Sequence, residues 1–349
     1  MKKLFSLLLV SAFAIAVNAQ FNAEKDPYIV KSLSNESLQK VLVETSGGSI
    51  TVEGVAASEA RIEVYVRANN WKGNSFLNKD EIQKRLDENY TLEIGVSGGQ
   101  LSAIAKQKKQ INFNWKKGLS ISFKIYVTKD IATKLSTSGG SIALSNLSGS
   151  QDFKTSGGSL TVDDVSGVIK GRTSGGSISL HNAKDDIDLS TSGGSIEAKN
   201  CTGNIELNTS GGSLTLRDLS GKVNARTSGG SVSGDNIEGE LYAHTSGGSV
   251  DLNRLACSVE ASTSGGHIDV EVVKLGSYVK LDNSGGNITL SLPKDKGVNL
   301  DLHGNKIKVD PLTNFSGSKE DDDLTGTLNG GGALVKVHAG SGKITLKMK

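Results

Sequence analysis

Asp152, Asp188 and Glu206 are the first residues of this 349-residue chain whose types and spacing suggest chemistry. A repeat of 18 residues puts all three in one outward column, with Asp188 and Glu206 in adjacent repeats. Stacked strands lie about 4.8 Å apart, so these two carboxylates approach to about 5 Å, the separation of a retaining glycosidase pair. The plainer alternative is an exposed ladder neutralised by Lys170 and Arg172. A general acid working near neutral pH needs a raised pKa and therefore burial, and nothing in the sequence walls off this column. The expectation is that the chain carries no catalytic residues and is not an enzyme. A polysaccharide-degrading solenoid, lyase or hydrolase, is the alternative.

Other candidate chemistries meet similar obstacles. A Gly-Gly in every repeat resembles calcium-binding rolls, but those need an acid in every turn. Here the corresponding column reads Ser145, Asp163, His181, Lys199, Arg217. An Asp321-Asp322-Asp323 run reads as a solvated loop, and His181, His244, His267, His303 and His338 share no ligand spacing. No metal and no cofactor are expected. The repeated Ser residues are identical in every repeat, which argues for a structural role. The repeated Thr would suit an ice-binding rank only if it faced outward. Alternation places it inward, with its hydroxyl on corner backbone groups.

The binding candidates lie off the repeats. Tyr65, Trp71, Phe76, Tyr90, Phe113, Trp115, Phe123 and Tyr126 are half of the chain's aromatics, and Lys106, Lys108, Lys109, Lys116 and Lys117 run beside them. Aromatics interleaved with lysines can stack on sugars or meet anionic envelope polymers. Trp71, Trp115, Tyr126, Lys108, Lys109, Lys116 and Lys117 are the ligand-binding candidates. The alternative is that the aromatics pack a helix and a hairpin on the solenoid end while the lysines point into water.

These residues are positioned by a repeat. Thr-Ser-Gly-Gly recurs at Thr137, Thr155, Thr173, Thr191, Thr209, Thr227, Thr245 and Thr263, each 18 residues after the last. Within Thr155–Arg172, apolar residues alternate with polar ones at Leu160 and Val162, and alternation resumes at Ile169. Period-two alternation marks strands with one buried face. A third inward column runs Leu147, Val165, Ala183, Cys201, Leu219, Ile237, Leu255. Glycines, and an Asn or Asp before the third column, mark the bends. Five buried side chains contribute on the order of 10 kcal/mol per coil, whereas ordering 18 backbones costs roughly 18–36 kcal/mol. A lone coil therefore unfolds, and coils must stack. The inward gaps of two, three, four and two do not fit a hexapeptide helix. The fold expected is an all-β, single-domain parallel β-solenoid with 18-residue coils, right-handed by the usual crossover rule. Cys201 and Cys257 fall three coils apart, roughly 14 Å, too far for a disulfide, so two buried free thiols are expected.

The ends are less regular. Residues 1–19 read as a signal peptide: Lys2 and Lys3, an apolar run, then Val17-Asn18-Ala19. Its removal leaves 37 basic against 37 acidic residues, a balance with no global pull toward nucleic acid. No later segment is long and apolar enough to span a membrane. Residues 20–40 form a leader and 41–349 the solenoid. Within it, 41–136 hold irregular coils and insertions, 137–280 the regular array, and 281–349 irregular coils and a cap. Thr45 and Ser97-Gly98-Gly99 read as two divergent coils, and Asn78–Asn89 as a small helix-bearing insertion. Strands are expected at Ile111–Trp115 and Leu119–Val127. Lys343–Lys349, with its three lysines, reads as the protected last edge.

Successive Thr-Ser-Gly-Gly-Ser coils, the early helix-bearing excursion, Leu292-Pro293 after the array and the terminal Gly-Ser-Gly-Lys-Ile-Thr-Leu together resemble the bacterial putative-adhesin family of unknown function. That family is similar in turn to the adhesin-head solenoids of Bacteroidetes-type exported proteins. The resemblance covers about Val41 to Lys349 and implies a β-solenoid at the cell envelope, with no accepted catalytic residues. The expectation is an exported, non-catalytic solenoid in the periplasm, on the outer surface or secreted. It would act in adhesion or as an envelope scaffold, with envelope glycans or another envelope protein as partner. An envelope-stress accessory protein is a further alternative that the resemblance suggests.

Overall fold

Alternating apolar residues need a buried face, and the computed structural model stacks them column on column. It describes residues 26–69, 77–108 and 118–349. Along one side of the coil, Ile142, Leu160, Ile178, Ile196, Leu214, Val232, Val250 and Ile268 follow one another in parallel strand pairs. Along the other side the column is Gln151, Ile169, Ile187, Ile205, Val223, Leu241 and Val259. Each pair is offset by 18 residues, until Val259 meets Val279 across a longer excursion. The result is an all-β parallel solenoid with a continuous buried core.

The bends fall where the residue types permit them. Asn146, Asp164, Asn182, Asn200, Asp218 and Asn236 all take φ of 51–56°, a left-handed conformation that Asn and Asp tolerate. Large and small residues compensate between coils. Gly171 occupies the same column as Phe153 and Leu189, and a Cβ there would come under 3.0 Å from both side chains. The Phe153 ring fills the space that glycine leaves, which keeps the interior close-packed. Gln151 is the polar exception in its column. It is fully buried, donates to the Ile131 carbonyl at 2.9 Å and accepts from Thr133 at 2.7 Å.

The repeated corner is built from two contacts. Each repeat Thr is buried, and Thr155 Oγ1 donates to the Gly140 carbonyl of the preceding coil at 2.8 Å. The same oxygen accepts the Gly158 N–H at 3.3 Å. Equivalent pairs recur from Thr137 to Thr263, so the expected corner role of the hydroxyl is what the geometry shows. Where the register loosens, Asn283 takes over: its amide donates to the Gly266 carbonyl at 2.8 Å and accepts from the Gly286 N–H at 2.9 Å. The second glycine leaves no room for a side chain. A Cβ on Gly176 would fall well under 3.0 Å from the Gly158 carbonyl, whereas one on Gly175 meets nothing nearer than 3.6 Å.

Two expectations about the ends require correction, and the leader adds a strand of its own. Ser97-Gly98-Gly99 is not a coil corner. It is the turn of an antiparallel hairpin between Tyr90–Ser97 and Gln100–Gln107, with Gly98 and Gly99 at φ 57° and 74°, the left-handed pair that two-residue hairpins require. The leader contains a strand, Ile29–Ser32, paired antiparallel with Arg61–Ala68. Lys343–Lys349 is not an edge, because the long last strand Ala333–Met348 lies between Ile288–Leu292 and Val298–Val309, hydrogen-bonded to both. The outermost strand at that end is Phe315–Lys319, reached through the antiparallel Asp323–Leu328. Coil order also departs from chain order: Lys40–Thr45 pairs on one flank with Gln100–Gln107 and on the other with Ala132–Thr137.

The helix Lys79–Asn89 forms where expected, capped by the Asn78 side chain accepting from the Glu81 N–H at 2.8 Å and anchored by buried Ile82 and Leu86. The strand Leu119–Val127 is present, while Ile111–Trp115 and residues 1–19 lie outside the described residues. Cys201 and Cys257 are free and buried, and burial pushes the Cys257 thiol up to about 12.

Two outcomes are expected. Gly176→Ala lowers stability by about 2–3 kcal/mol through overpacking while Gly175→Ala changes it by under about 1 kcal/mol, as read by chemical denaturation. Equal losses would refute the stacking argument. Iodoacetamide followed by intact-mass measurement leaves both cysteines unlabelled in the native protein and labels both in denaturant.

Candidate functional site

Asp188 and Glu206 do share an outward column and sit on adjacent strands. Asp188 lies 3.9 Å from Lys170 and 3.7 Å from Arg172. Glu206 lies 3.9 Å from Arg226 and accepts from Asn208 at 3.1 Å. Their side chains are 37% and 49% exposed, so each carboxylate lies beside a cation on an open, watered face.

The histidines find partners that spacing alone did not reveal. His267 contacts Asp251 at 2.9 Å and the Ser249 hydroxyl at 2.9 Å. Those are the residue types of a nucleophile triad, but Ser249 Oγ also accepts the His267 backbone N–H at 3.3 Å. The same serine-to-backbone contact joins Ser195 to Ser213 and Ser231 to Ser249, so it is one rung of a ladder. His303 is held between Asp301 at 2.7 Å and Asp323 at 2.6 Å. Among the described residues no group of three His, Cys, Asp or Glu is arranged to hold a metal ion.

Of the seven binding candidates, Trp71, Trp115, Lys109, Lys116 and Lys117 lie outside the described residues. The structure does not bring the other two together. Lys108 donates to the Asp87 carbonyl near the end of the helix at 2.5 Å. Tyr126 belongs to the other side of the coil, on the outward face of Leu119–Val127. Arg61 covers its ring at 3.7 Å and pairs with Glu63 at 2.7 Å, Tyr65 donates to Glu63 at 2.8 Å, and Lys124 sits 4.9 Å over the Tyr65 ring. Antiparallel register explains the cluster, since Arg61 faces Tyr126 and Glu63 faces Lys124. Burial, then the hydrogen bond to Glu63, pushes the Tyr65 phenol up to about 12. Burial acts to raise Glu63, but hydrogen bonds from Arg61 and Tyr65 outweigh it and hold the carboxyl below its usual value.

A second feature was not legible as a site. Along the Thr-Ser-Gly-Gly corner runs an open groove of about 620 Å³. Buried Thr137 to Thr209 form its floor, Ser138 to Ser210 one wall, and Ser136, Lys154, Arg172, Ser190 and Asn208 the other. A hollow of about 550 Å³ continues it toward the N-terminal coils, sharing Ser136, Lys154 and Arg172 and adding Lys134, Asp152 and Lys170.

A family model described as Toastrack DUF4097 matches residues 171–347, just over half of the 349-residue chain. The chain belongs to the Toastrack DUF4097 family. The matched Toastrack region runs from the middle of the array through the C-terminal cap. Two solved structures are similar to this Toastrack chain. One is a putative cell adhesion protein from Clostridium sporogenes, 12% identical, with 92% of this chain and 98% of that one covered and a TM-score of 0.18. The other is a putative adhesin from Bacteroides fragilis, 13% identical, with 92% and 96% covered and a TM-score of 0.22. No curated protein matches the chain.

The Tyr65 phenol makes the tyrosine plate testable. A folded pKa of about 12 against an ordinary 10.0 means that the plate's contribution is complete below about pH 10 and is lost as pH rises toward 12. Spectrophotometric titration of Glu63→Gln should show that phenol ionising earlier than in the wild type. An unchanged titration would remove Glu63 from the account.

Proposed function

We propose that this Toastrack protein is an exported, non-catalytic β-solenoid that acts by adhesion or as a binding scaffold at the cell envelope. The observation that carries this reading is the condition of the outward columns. Charges are matched from coil to coil across an open surface: Asp188 with Lys170 and Arg172, Glu206 with Arg226, Glu197 with Arg217 at 3.3 Å, and Glu260 with Lys280 at 3.6 Å. Acid–base catalysis wants a shielded cleft, and the Asp188–Glu206 column lies open to water with a cation beside each carboxylate. Stacked coils instead give a stiff, long face on which many weak contacts can add. Among the described residues no helix is long and apolar enough to cross a membrane, so attachment would come through what the solenoid binds.

The test pairs binding with turnover. Purified protein is applied to isolated bacterial envelopes and to a glycan array, and the recovered glycans are sized. The expected result is retention without shortening, equal for wild type and an Asp188→Asn/Glu206→Gln double variant. Glycan shortening that this double variant abolishes would replace the proposal with a polysaccharide-degrading enzyme. Retention carried solely by an envelope protein would favour the accessory role.

A further inference from the structure

We propose that the corner groove binds a linear anionic glycan, a chain of uronate sugars laid along the solenoid axis. This deepens the adhesion reading and rests on it.

The groove's chemistry is set by its walls, because the floor is spent. Each floor threonine already uses its hydroxyl as donor and acceptor within the corner. On one wall, Ser138, Ser156, Ser174, Ser192 and Ser210 are exposed, and among the described residues their hydroxyls have no partner. Five coils at about 4.8 Å per step give a row of free hydroxyls roughly 19 Å long. That step is close to the length of one sugar ring in an extended chain, so successive rings meet successive serines.

The other wall supplies charge. Lys134 and Lys154 have no ion-pair partner among the described residues, while Lys170 and Arg172 share Asp188 at 3.9 and 3.7 Å. Glu44 is taken by Lys106 at 2.5 Å. Asp152 is the remaining acid in the hollow, so four cations face two carboxylates at the N-terminal end of the groove. The rest of that wall, Ser136, Ser190 and Asn208, is neutral and polar.

The same walls argue against other occupants. Among the described residues, the 620 Å³ groove has Ser, Thr, Lys, Arg and Asn around it and no aromatic or aliphatic side chain. It therefore lacks both the aromatic platform that nucleic-acid bases stack on and the apolar pockets that anchor peptide side chains. A peptide cannot add as a strand either, because the strands beside the groove are paired on both flanks. Sugar hydroxyls with spaced carboxylates fit rows of hydroxyls with spaced cations.

Titration calorimetry of the full chain with hexagalacturonate and with the neutral galactose hexamer tests this. Hexagalacturonate is expected to bind at least tenfold tighter than the neutral chain and to weaken as salt is raised. Lys154→Ala/Arg172→Ala should cost at least a further tenfold with an unchanged melting temperature, since both side chains lie in water. Lys222→Ala, an exposed lysine outside the groove, should have no effect. Absence of hexagalacturonate binding, equal binding of the neutral hexamer, or indifference to the double variant would overturn the proposal. So would inorganic polyphosphate that binds more tightly with the same variant dependence. Envelope retention that persists while galacturonate binding is absent would remove the groove assignment and leave the adhesion reading standing. Loss of both would remove both.

Discussion

At every Thr-Ser-Gly-Gly corner a carbonyl oxygen occupies the volume where a side chain would begin. The Gly158 carbonyl sits against the Cα of Gly176, as Gly140 does against Gly158, and the repeat threonine donates to the same class of carbonyl. Close approach and hydrogen bond are one interaction seen twice. It sets the coil spacing at the corner, and the flat strands on either side then inherit their register. Where Asn283 stands in place of the threonine, its side-chain amide holds that oxygen instead.

This constraint explains why so much was legible. A contact that needs glycine at one position and a hydroxyl three residues earlier leaves a fixed word in the sequence. The inward columns leave a period-two pattern, and the left-handed bend leaves Asn or Asp. The helix could be read from its cap, Asn78, and from Ile82 and Leu86 on one face. The ends were read less well because the same letters serve two geometries. Ser97-Gly98-Gly99 resembles a corner, but with no threonine in front its two glycines are free to turn a hairpin. The burial of Ala333–Met348 between two other strands depends on partners far away in the chain, and no local pattern records that choice.

Sites divide along the same line. The Asp188–Glu206 column was visible because it follows the repeat, and so was the balance of charge around it. The tyrosine plate was half visible: Tyr65 and Tyr126 stood out by type, but their union with Arg61 and Glu63 depends on antiparallel register. Lys108 and Tyr126 looked like neighbours because both fall in one stretch of chain, and a solenoid sends that stretch around opposite sides. The groove is hidden in the sequence for the opposite reason. Its serines are so regular that repetition alone points to the backbone, although at most corners the serine after Gly-Gly bonds the next coil while the serine after Thr keeps its hydroxyl free.

The interleaving of Ala333–Met348 has a consequence for biogenesis. A polypeptide emerging from the ribosome or an export channel presents the coils of the regular array in order, and each can settle on the one before it. Val298–Val309 cannot, since the strand that joins it to the shaft is made after it. Ala333–Met348 acts as a keystone, and a product lacking that strand would leave the cap hairpins unattached and the apolar end of the shaft wet. Sealing that end of the shaft thereby waits on a strand synthesised after the two it joins.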